Sequence, residues 1–405
     1  MIIGIDASRA IKKNKTGVEW YAYYVIDNLI KLDTQNQFIL YVQNAPDDWL
    51  KKIGERKNVK IKRLRWPFKF FWTQGRLSLE MLFNTPSSAK APAGKPDVLF
   101  IPASAMPIIH PKNIVAAIHD VGFMEYPEVY GKWQKFYLKW STRFAVKRAK
   151  KIITISEFSK QEIIKYFLTP SYSPPCKGGE SLAHRIFVTH LGYDADKFNN
   201  TIETQNFASL QKKYNISRPY LLSVGRLEKK KNTDGLIRAF SLLKNTPSYS
   251  PSSQGGGSGG YKLVLAGRPG FGFAEIKKLI KENNLEKDII ILNYVSDNDL
   301  PYLYNAAAAL VFSSRYEGFG LPILEAFACG TPVICAKTAS LPEVAGEAAL
   351  YFDPDDINAL AKAMRMILTD ENLRQELINK GRERVRQFRW EKCAQETREI
   401  LMSNA

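Results

Sequence analysis

Short apolar runs alternate with helical patterns in both halves of this 405-residue chain. Because successive strands joined by helices lie parallel, this repetition predicts α/β architecture, with a parallel sheet covered by helices on both faces in each half. The first half has five such runs, and they predict strands at Ile2–Ile5, Phe38–Val42, Val98–Ile101, Ile114–Ile118 and Ile152–Ile155. The second half has five more, at Tyr220–Val224, Lys262–Ala266, Ile289–Leu292, Ala309–Phe312 and Pro332–Ile334.

Helices are predicted between these strands from a 3.6-residue apolar period. The clearest are Val18–Leu32, Tyr130–Ala149, Thr233–Leu243 and Leu300–Ala308. Ser159 followed by Glu162 has the pattern of a capping box, which predicts a helix that continues to about Phe167.

The predicted boundaries follow from changes in composition. Apolar periodicity fades in 197–218, where Asn, Thr and Gln accumulate, so this range is the expected linker. It separates a first domain, 1–196, from a second domain, 219–385. The Pro-, Ser- and Gly-rich stretches Asn84–Pro96, Thr169–Glu180 and Asn245–Gly260 are interpreted as flexible insertions in surface loops.

Composition excludes several classes of protein. No run of about 18 uncharged apolar residues occurs, so no transmembrane helix is expected, and the N-terminus has no basic leader typical of a signal peptide. The four cysteines form no Cys-x-x-Cys pair, which favours reduced thiols and a cytoplasmic protein. The four histidines lack metal-ligand spacing, so a structural zinc site is not expected.

The segment 313–334, SSRYEGFGLPILEAFACGTPVI, carries the strongest candidate site. A buried strand ends near Ser313, and a loop with two glycines leads to Pro322, a residue favoured in the first turn of a helix. The free N–H groups at Gly320 and Leu321 would then suit a phosphate. Glu317 and Glu325 flank this point, and their carboxylates can accept hydrogen bonds from sugar hydroxyls. Alternatively, they are solvated acidic residues near the positive end of the helix dipole.

A second candidate site follows the first strand of the second half, at 223–232, SVGRLEKKKN. Cations at the carboxyl end of a parallel strand are well placed to neutralise a diphosphate leaving group. The alternative interpretation is a solvated lysine run. In the first half, His119 ends an apolar strand, where a lone histidine is either structural or catalytic.

Taken together, these segments resemble the retaining glycosyltransferases of family 4, which carry a Glu-x7-Glu motif. The sequence of residues 118–130 resembles that of the bacterial mannosyltransferases in this family. The resemblance implies a GT-B fold, with two Rossmann-like domains that face each other across a cleft, and a helix at 386–405 that returns to the first domain. It also implies retaining transfer from a nucleotide-sugar to a glycan or lipid-linked glycan, without metal or other cofactor. GDP-mannose is the favoured donor, and UDP-glucose and UDP-N-acetylglucosamine remain open.

The same resemblance assigns roles to individual residues. Arg226 and Lys231 would clamp the diphosphate, while Lys229 and Lys230 would be bystanders. Glu317 would contact the donor sugar, Glu325 the ribose, and His119 would lie beside the reaction centre. The remaining donor-binding positions are backbone contacts at Gly17, Gly225, Phe319, Gly320 and Leu321.

The charge is concentrated in the first half. The net charge is +18, and residues 1–200 carry 31 Lys/Arg against 17 Asp/Glu, a net of +14. In 130–151 an aromatic helix face lies beside a basic one, a pattern that suits an anionic membrane surface. The aromatic face consists of Trp133, Phe136, Tyr137, Trp140 and Phe144. The alternative is that the aromatic stripe is core. A peripheral position at the inner face of the membrane is therefore expected. A nucleic-acid partner is disfavoured because no recognition motif accompanies the charge, and a non-catalytic sugar-nucleotide-binding protein remains the other rival.

Overall fold

The computed structural model describes residues 1–13, 15–68, 70–83, 96–169, 182–199, 204–245 and 260–403. They form two compact units: unit 1 comprises Met1–Gly192 with Arg389–Ala405, and unit 2 comprises Tyr193–Phe388. The predicted insertions lie almost entirely outside the described residues, as does Cys176.

Unit 1 is built on a parallel sheet of seven described strands. They are β1 Ile2–Asp6, β2 Gln37–Val42, β3 Val59–Arg63, β4 Val98–Ile101, β5 Ile114–Ala117, β6 Lys151–Thr154 and β7 Ile186–Val188. Their order across the sheet is β3-β2-β1-β4-β5-β6-β7. The central strands β4 and β5 are buried along their whole length, as expected for a parallel sheet covered on both faces.

Helices cover both faces of this sheet. They are α1 Gly17–Leu32, α2 Asp48–Gly54, α3 Ser78–Phe83, α4 Gly122–Glu125, α5 Lys132–Arg148 and α6 Glu157–Phe167. A single π-helical turn, Thr73–Leu77, precedes α3, and short 3₁₀ turns occur at Pro127–Val129 and Leu182–Arg185. Helix α1 buries Tyr21, Val25 and Leu29 against the core, which is the apolar spacing that predicted it.

Unit 2 has a parallel sheet of six described strands in the order β10-β9-β8-β11-β12-β13. The strands are β8 Tyr220–Val224, β9 Lys262–Ala266, β10 Ile289–Asn293, β11 Ala309–Phe312, β12 Val333–Ala336 and β13 Ala349–Phe352. Its helices are α7 Thr204–Tyr214, α8 Thr233–Lys244, α9 Phe273–Glu282, α10 Leu300–Ala306, α11 Leu321–Ala328, α12 Leu341–Ala345, α13 Ile357–Thr369 and α14 Glu371–Val385. A 3₁₀ turn, Lys229–Lys231, follows β8.

The last helix, α15 (Trp390–Met402), belongs to unit 1 and packs against α1. The indole of Trp390 stacks on Tyr24 with ring centroids 4.9 Å apart. Arg398 Nε donates to Asp33 Oδ2 at 2.8 Å, and Lys151 Nζ donates to the carbonyl oxygen of Ile400 at 2.9 Å. Stacking and hydrogen bonds together fix the helix on the unit.

Two sequence predictions need correction. The capping box at Ser159 and Glu162 is wrong: α6 begins earlier, and the side chain of its N-cap Ser156 accepts from the backbone N–H of Ser159 at 3.0 Å. Ser156 and Ser159 both suit an N-cap in the sequence, and Ser156 is the cap because β6 already ends at Thr154.

The expected linker 197–218 also contains a helix, α7.

Candidate active site

The loop between β11 and α11 presents backbone N–H groups at the carboxyl edge of the unit 2 sheet. Gly320 is the N-cap of α11 and has φ = 118°, a left-handed conformation that glycine adopts without strain. Leu321 and Pro322 then open the helix. Pro322 has no N–H, and the N–H of Ile323 donates to the carbonyl oxygen of Gly320 at 3.0 Å, so of the first three helical residues Leu321 keeps an N–H without a partner inside the helix. This is the arrangement that binds anions at helix N-termini.

Ser340 holds the loop between β11 and α11 in shape through its hydroxyl group. Its hydroxyl oxygen is completely buried and lies 2.8 Å from the carbonyl oxygen of Phe319 and 2.9 Å from that of Glu317. Phe319 is itself buried, and its ring meets Phe388 edge-on at 5.8 Å. The loop is therefore anchored by Ser340 and Phe388, whose importance the sequence did not indicate.

Lys231 and Glu317 meet at this edge although they are 86 residues apart. The Lys231 ammonium donates to Glu317 Oε1, which also accepts from Ser314 Oγ at 2.8 Å. Ser313 Oγ donates to the carbonyl oxygen of Lys231 at 3.0 Å, which ties the 3₁₀ turn to the end of β11. The structure thus joins the two sequence-predicted segments through one ion pair.

Arg226 lies on the same edge but stands free of this pair. Its side chain is 67% exposed, and its Nε is 3.9 Å from Glu228 Oε2. Gly225, at φ = 144°, turns the chain after β8, and its N–H donates to the carbonyl oxygen of Ala266 at 3.0 Å. A Cβ at Gly267 would lie 1.7 Å from the Gly225 carbonyl oxygen, so the two chain segments approach too closely for any other residue.

Asn232 ends the lysine turn in a left-handed conformation, with φ = 54°. Asparagine is the non-glycine residue that tolerates this region best, which explains its presence here. Its Nδ2 donates to the carbonyl oxygen of Pro354 at 2.9 Å, and Arg315 Nη2 donates to its Oδ1 at 3.2 Å. Lys230, expected to be a bystander, is buried, with its ammonium 5.1 Å from the centre of the Tyr316 ring.

Glu325 lies one turn into α11 and is partly buried. Burial raises the pKa of its carboxyl to about 7, although a hydrogen bond from the Tyr304 hydroxyl, 2.8 Å from Oε2, opposes the shift. Tyr304 on α10 is completely buried. Glu325 therefore changes its charge near neutral pH.

In unit 1, His119 follows β5 and packs edge-on against Tyr21, with ring centroids 4.6 Å apart. Its Nε2 is 3.3 Å from the carbonyl oxygen of Pro102, so this nitrogen carries the proton in the neutral tautomer. Burial lowers the pKa of the imidazole, and the hydrogen bond with Pro102 and the charge of Asp120 only partly offset this, so the shift favours the neutral form. His119 lies at the carboxyl edge of the sheet.

Gly17 is the first residue of α1, and no atom lies within 4 Å of the position that a Cβ would take there. Nearby, Glu19 accepts from Arg9 Nη1 at 3.1 Å and Lys12 Nζ at 2.8 Å. Burial opposes ionisation of Glu19, but hydrogen bonds from Lys12 and Thr16 outweigh it and lower the pKa to about 2. Sequence reasoning missed this cluster because its charges are spread over ten residues.

Among the described residues, no group of three or more His, Cys, Asp or Glu side chains is arranged to hold a metal ion. Within the same part of the chain, no helix is both long and apolar enough to cross a bilayer.

Comparison with known proteins now decides the family. Residues 206–384 match the family described as glycosyl transferases group 1, and residues 15–172 match glycosyltransferase family 4. The chain is 35% identical over 286 residues to O-antigen chain mannosyltransferase B of Escherichia coli, an alignment that covers 71% of this chain and 69% of that protein. The chain belongs to the family 4 glycosyltransferases.

Other relatives agree with this assignment. The serotype-specific mannosyltransferase WbdA of Escherichia coli is 30% identical over 70% of this chain, and the match spans 32% of that longer protein. Among solved structures, a sucrose-phosphate synthase from Thermosynechococcus elongatus superposes with a TM-score of 0.71 at 20% identity, covering 100% of this chain and 98% of that one. The lipopolysaccharide glycosyltransferase WaaG matches with a TM-score of 0.66 at 15% identity over 100% of both chains. These structures confirm the predicted GT-B fold class, and the protein is a glycosyltransferase.

Proposed function

We propose that this protein is a retaining mannosyltransferase that transfers mannose from GDP-mannose to a growing glycan or lipid-linked glycan. The observation that carries the proposal is the Lys231–Glu317 ion pair beside the N-terminus of α11, because it places a cation and a carboxylate where a sugar diphosphate would lie. The mannosyltransferase relatives support mannose as the sugar. UDP-glucose and UDP-N-acetylglucosamine are the alternative donors.

Arg226 and Lys231 would stabilise the diphosphate as it leaves. The bond between the anomeric carbon and the diphosphate oxygen breaks, and negative charge grows on the diphosphate. The oxygen of the acceptor hydroxyl forms the new glycosidic bond on the same face, and its proton passes to the departing diphosphate. An ammonium has three N–H donors, so Lys231 can hold Glu317 and a phosphate oxygen together. Arg226 is exposed and can turn its guanidinium toward the second phosphate. In this proposal these two cations provide the charge, and no metal is needed.

The sugar and ribose contacts follow from the same placement. Glu317 would accept hydrogen bonds from donor-sugar hydroxyls while Lys231 and Ser314 orient its carboxylate. Glu325, one turn further along α11, would accept from the ribose hydroxyls. The backbone of Gly225 and of 319–321 would surround the phosphates.

Unit 1 would contribute the remaining groups. Neutral His119 would lie beside the anomeric carbon, where its carbonyl oxygen faces the positive charge that develops there. At Gly17 the open space over the start of α1 would admit the donor to the helix N-terminus.

We further propose that the protein is cytoplasmic and lies at an anionic membrane surface. Helix α5 supports this, because Trp133 and Phe136 are exposed beside Lys132 and Lys139, which are also exposed. The interpretation of the aromatic stripe as core is wrong for Trp133, Phe136 and Trp140, which are exposed, whereas Phe144 packs against the core. The buried side of α5 consists of Ser141, Thr142, Ala145 and Val146. A nucleic-acid partner is not proposed.

A donor panel tests the main proposal. Purified protein is incubated with GDP-mannose, UDP-glucose or UDP-N-acetylglucosamine, and release of nucleoside diphosphate is measured without acceptor. Hydrolysis of GDP-mannose above the other two is expected, and nuclear magnetic resonance of a product made with added glycan should show the α-anomer of the donor retained. Tight nucleotide binding with no turnover of any donor would favour a non-catalytic binding protein instead.

A further inference from the structure

A groove of about 860 Å³ crosses the surface of unit 1, within the range of ~300–1,000 Å³ typical of small-molecule sites. One wall is formed by α5, through Trp133, Phe136, Tyr137 and Trp140. Trp133 is 85% exposed and Phe136 65% exposed, so neither is packed into the core. Large aromatic side chains held in solvent mark a surface that contacts an apolar ligand.

The opposite wall is the segment before the π-helical turn, with Phe70, Phe71 and Trp72. Phe70 is 72% exposed, and its carbonyl oxygen accepts from Trp66 Nε1 at 2.9 Å. Phe71 has φ = 61°, a strained conformation for a bulky residue, and its ring approaches Tyr137 edge-on at 5.9 Å. The two walls are therefore joined across the groove.

Two of the polar side chains that line the groove are engaged with the protein. Gln74 Nε2 donates to the Tyr137 hydroxyl at 2.7 Å, and the Thr73 hydroxyl donates to Asp6 Oδ2 at 3.2 Å. A sugar stacked on these rings would need hydroxyl partners at its edges, and these two side chains already have theirs. The aromatic length of the groove suits a hydrocarbon chain better than a sugar ring.

One end of the groove is cationic. Arg9 and Lys12 line it, and both pair with Glu19. The only other carboxyl close to them among the described residues is that of Asp6, which is buried behind Ser8 and Thr73 and whose pKa burial raises. No acidic side chain is among the described residues that line the groove. An apolar length that ends at two cations matches a ligand with a hydrocarbon chain and an anionic head.

We propose that this groove binds the lipid portion of a lipid-linked acceptor, with the hydrocarbon chain between the aromatic walls and its phosphate at Arg9 and Lys12. This inference rests on the proposed function only where it identifies the ligand as the acceptor; the binding site for a hydrocarbon chain with a phosphate follows from the groove itself. If the inference holds, the acceptor is a lipid-linked glycan and not a free glycan.

Decyl phosphate below its micelle concentration is a suitable probe, with binding followed by tryptophan fluorescence and calorimetry. Decyl phosphate should bind, while decanol and inorganic phosphate each bind at least about tenfold more weakly, because each carries only half of the recognition. Trp133→Ser and Phe136→Ser should each weaken decyl phosphate about tenfold, the loss of one large apolar contact. Both residues are exposed, so the variants should keep the wild-type melting temperature.

The control is Leu242→Ser, which removes an apolar side chain that is 43% exposed on α8 of unit 2 and should leave binding unchanged. Equal affinity of wild type and the Trp133→Ser/Phe136→Ser double variant would overturn the proposal, as would inorganic phosphate that binds as well as decyl phosphate. Wild type that binds anionic phosphatidylglycerol vesicles but not decyl phosphate would also overturn it, since the aromatics would then contact only a bilayer. Donor hydrolysis without acceptor is measured on the same samples. If the wild-type protein hydrolyses no donor, the proposed function is refuted, whereas the result on decyl phosphate binding still stands.

Discussion

The hydroxyl of Tyr304 donates a 2.8 Å hydrogen bond to Oε2 of Glu325, and this bond joins α10 to α11 beneath the candidate donor site. Burial raises the pKa of the Glu325 carboxyl to about 7, while the bond from Tyr304 stabilises its ionised form. The group proposed to hold the ribose therefore ionises near neutral pH.

Affinity for GDP should increase between pH 6 and pH 8. Below pH 7 Glu325 is mainly protonated, and above it the carboxylate forms stronger hydrogen bonds with ribose hydroxyls, worth about 1.5–3 kcal/mol each. Tyr304→Phe removes a bond that favours the ionised form, so the midpoint of the increase should move to higher pH. Calorimetric titration with GDP across this range measures both effects.

Because the phosphates of GDP also titrate, Glu325→Gln is the necessary control. In this variant GDP still ionises but residue 325 does not, so the difference between the two pH curves reports the ionisation of Glu325. Identical curves for wild type and Glu325→Gln would show that this carboxyl does not contact the nucleotide.

Arg226→Ala and Lys231→Ala should each reduce turnover on the order of 10²–10³-fold, the usual loss when one group that stabilises developing charge is removed. Binding of the donor should weaken much less, because the leaving-group charge develops only during bond cleavage. Lys229→Ala is the control, since its side chain is exposed on the same turn and has no proposed role. Rates near wild type in both alanine variants would contradict the assignment of the diphosphate clamp.

Substitution of the two glutamates should have different effects on turnover and on GDP affinity. Glu317→Gln removes the charge beside Lys231, so turnover should fall steeply while GDP still binds. Glu325→Gln should instead weaken GDP by about 1.5–3 kcal/mol above pH 7. Measuring GDP affinity and donor turnover on both variants separates the roles, and the opposite pattern would mean that the sugar and ribose positions are exchanged.

Nine of the ten strands predicted from apolar runs are central in their sheets, and the tenth, β10, is an edge strand that still has an apolar run. The three strands that the sequence missed, β3, β7 and β13, all lie at sheet edges. Strand β3 reads Val-Lys-Ile-Lys-Arg, an alternation of apolar and basic residues, and among the described strands it is paired with β2 alone. β7, at the opposite edge, has three residues, too few for a periodic signal.

The candidate site could be predicted only in part. Glu317, Gly320 and Glu325 lie within one motif, so their proximity follows from local spacing. Tyr304 and Ser340 reach the same place from other elements, and no local pattern indicates which tyrosine or serine a fold will bring there. The same holds for the aromatic face of α5: its 3.6-residue period is correct, but periodicity alone cannot tell a core stripe from an exposed one.

Ser340→Ala should loosen the donor loop without disturbing the sheet. The hydroxyl oxygen of Ser340 is buried between the carbonyl oxygens of Glu317 and Phe319, and its removal leaves these acceptors without that donor, at a cost of about 1–3 kcal/mol. Thermal unfolding should show this loss, and donor turnover should fall because the carboxylate of Glu317 is no longer held in one position.

Ser340→Thr keeps the hydroxyl and should retain more activity than the alanine variant. Ser403→Ala, at the end of α15 in unit 1, is the control for serine loss and should leave turnover unchanged. An alanine variant with lower stability but wild-type turnover would show that the loop geometry does not depend on this hydroxyl.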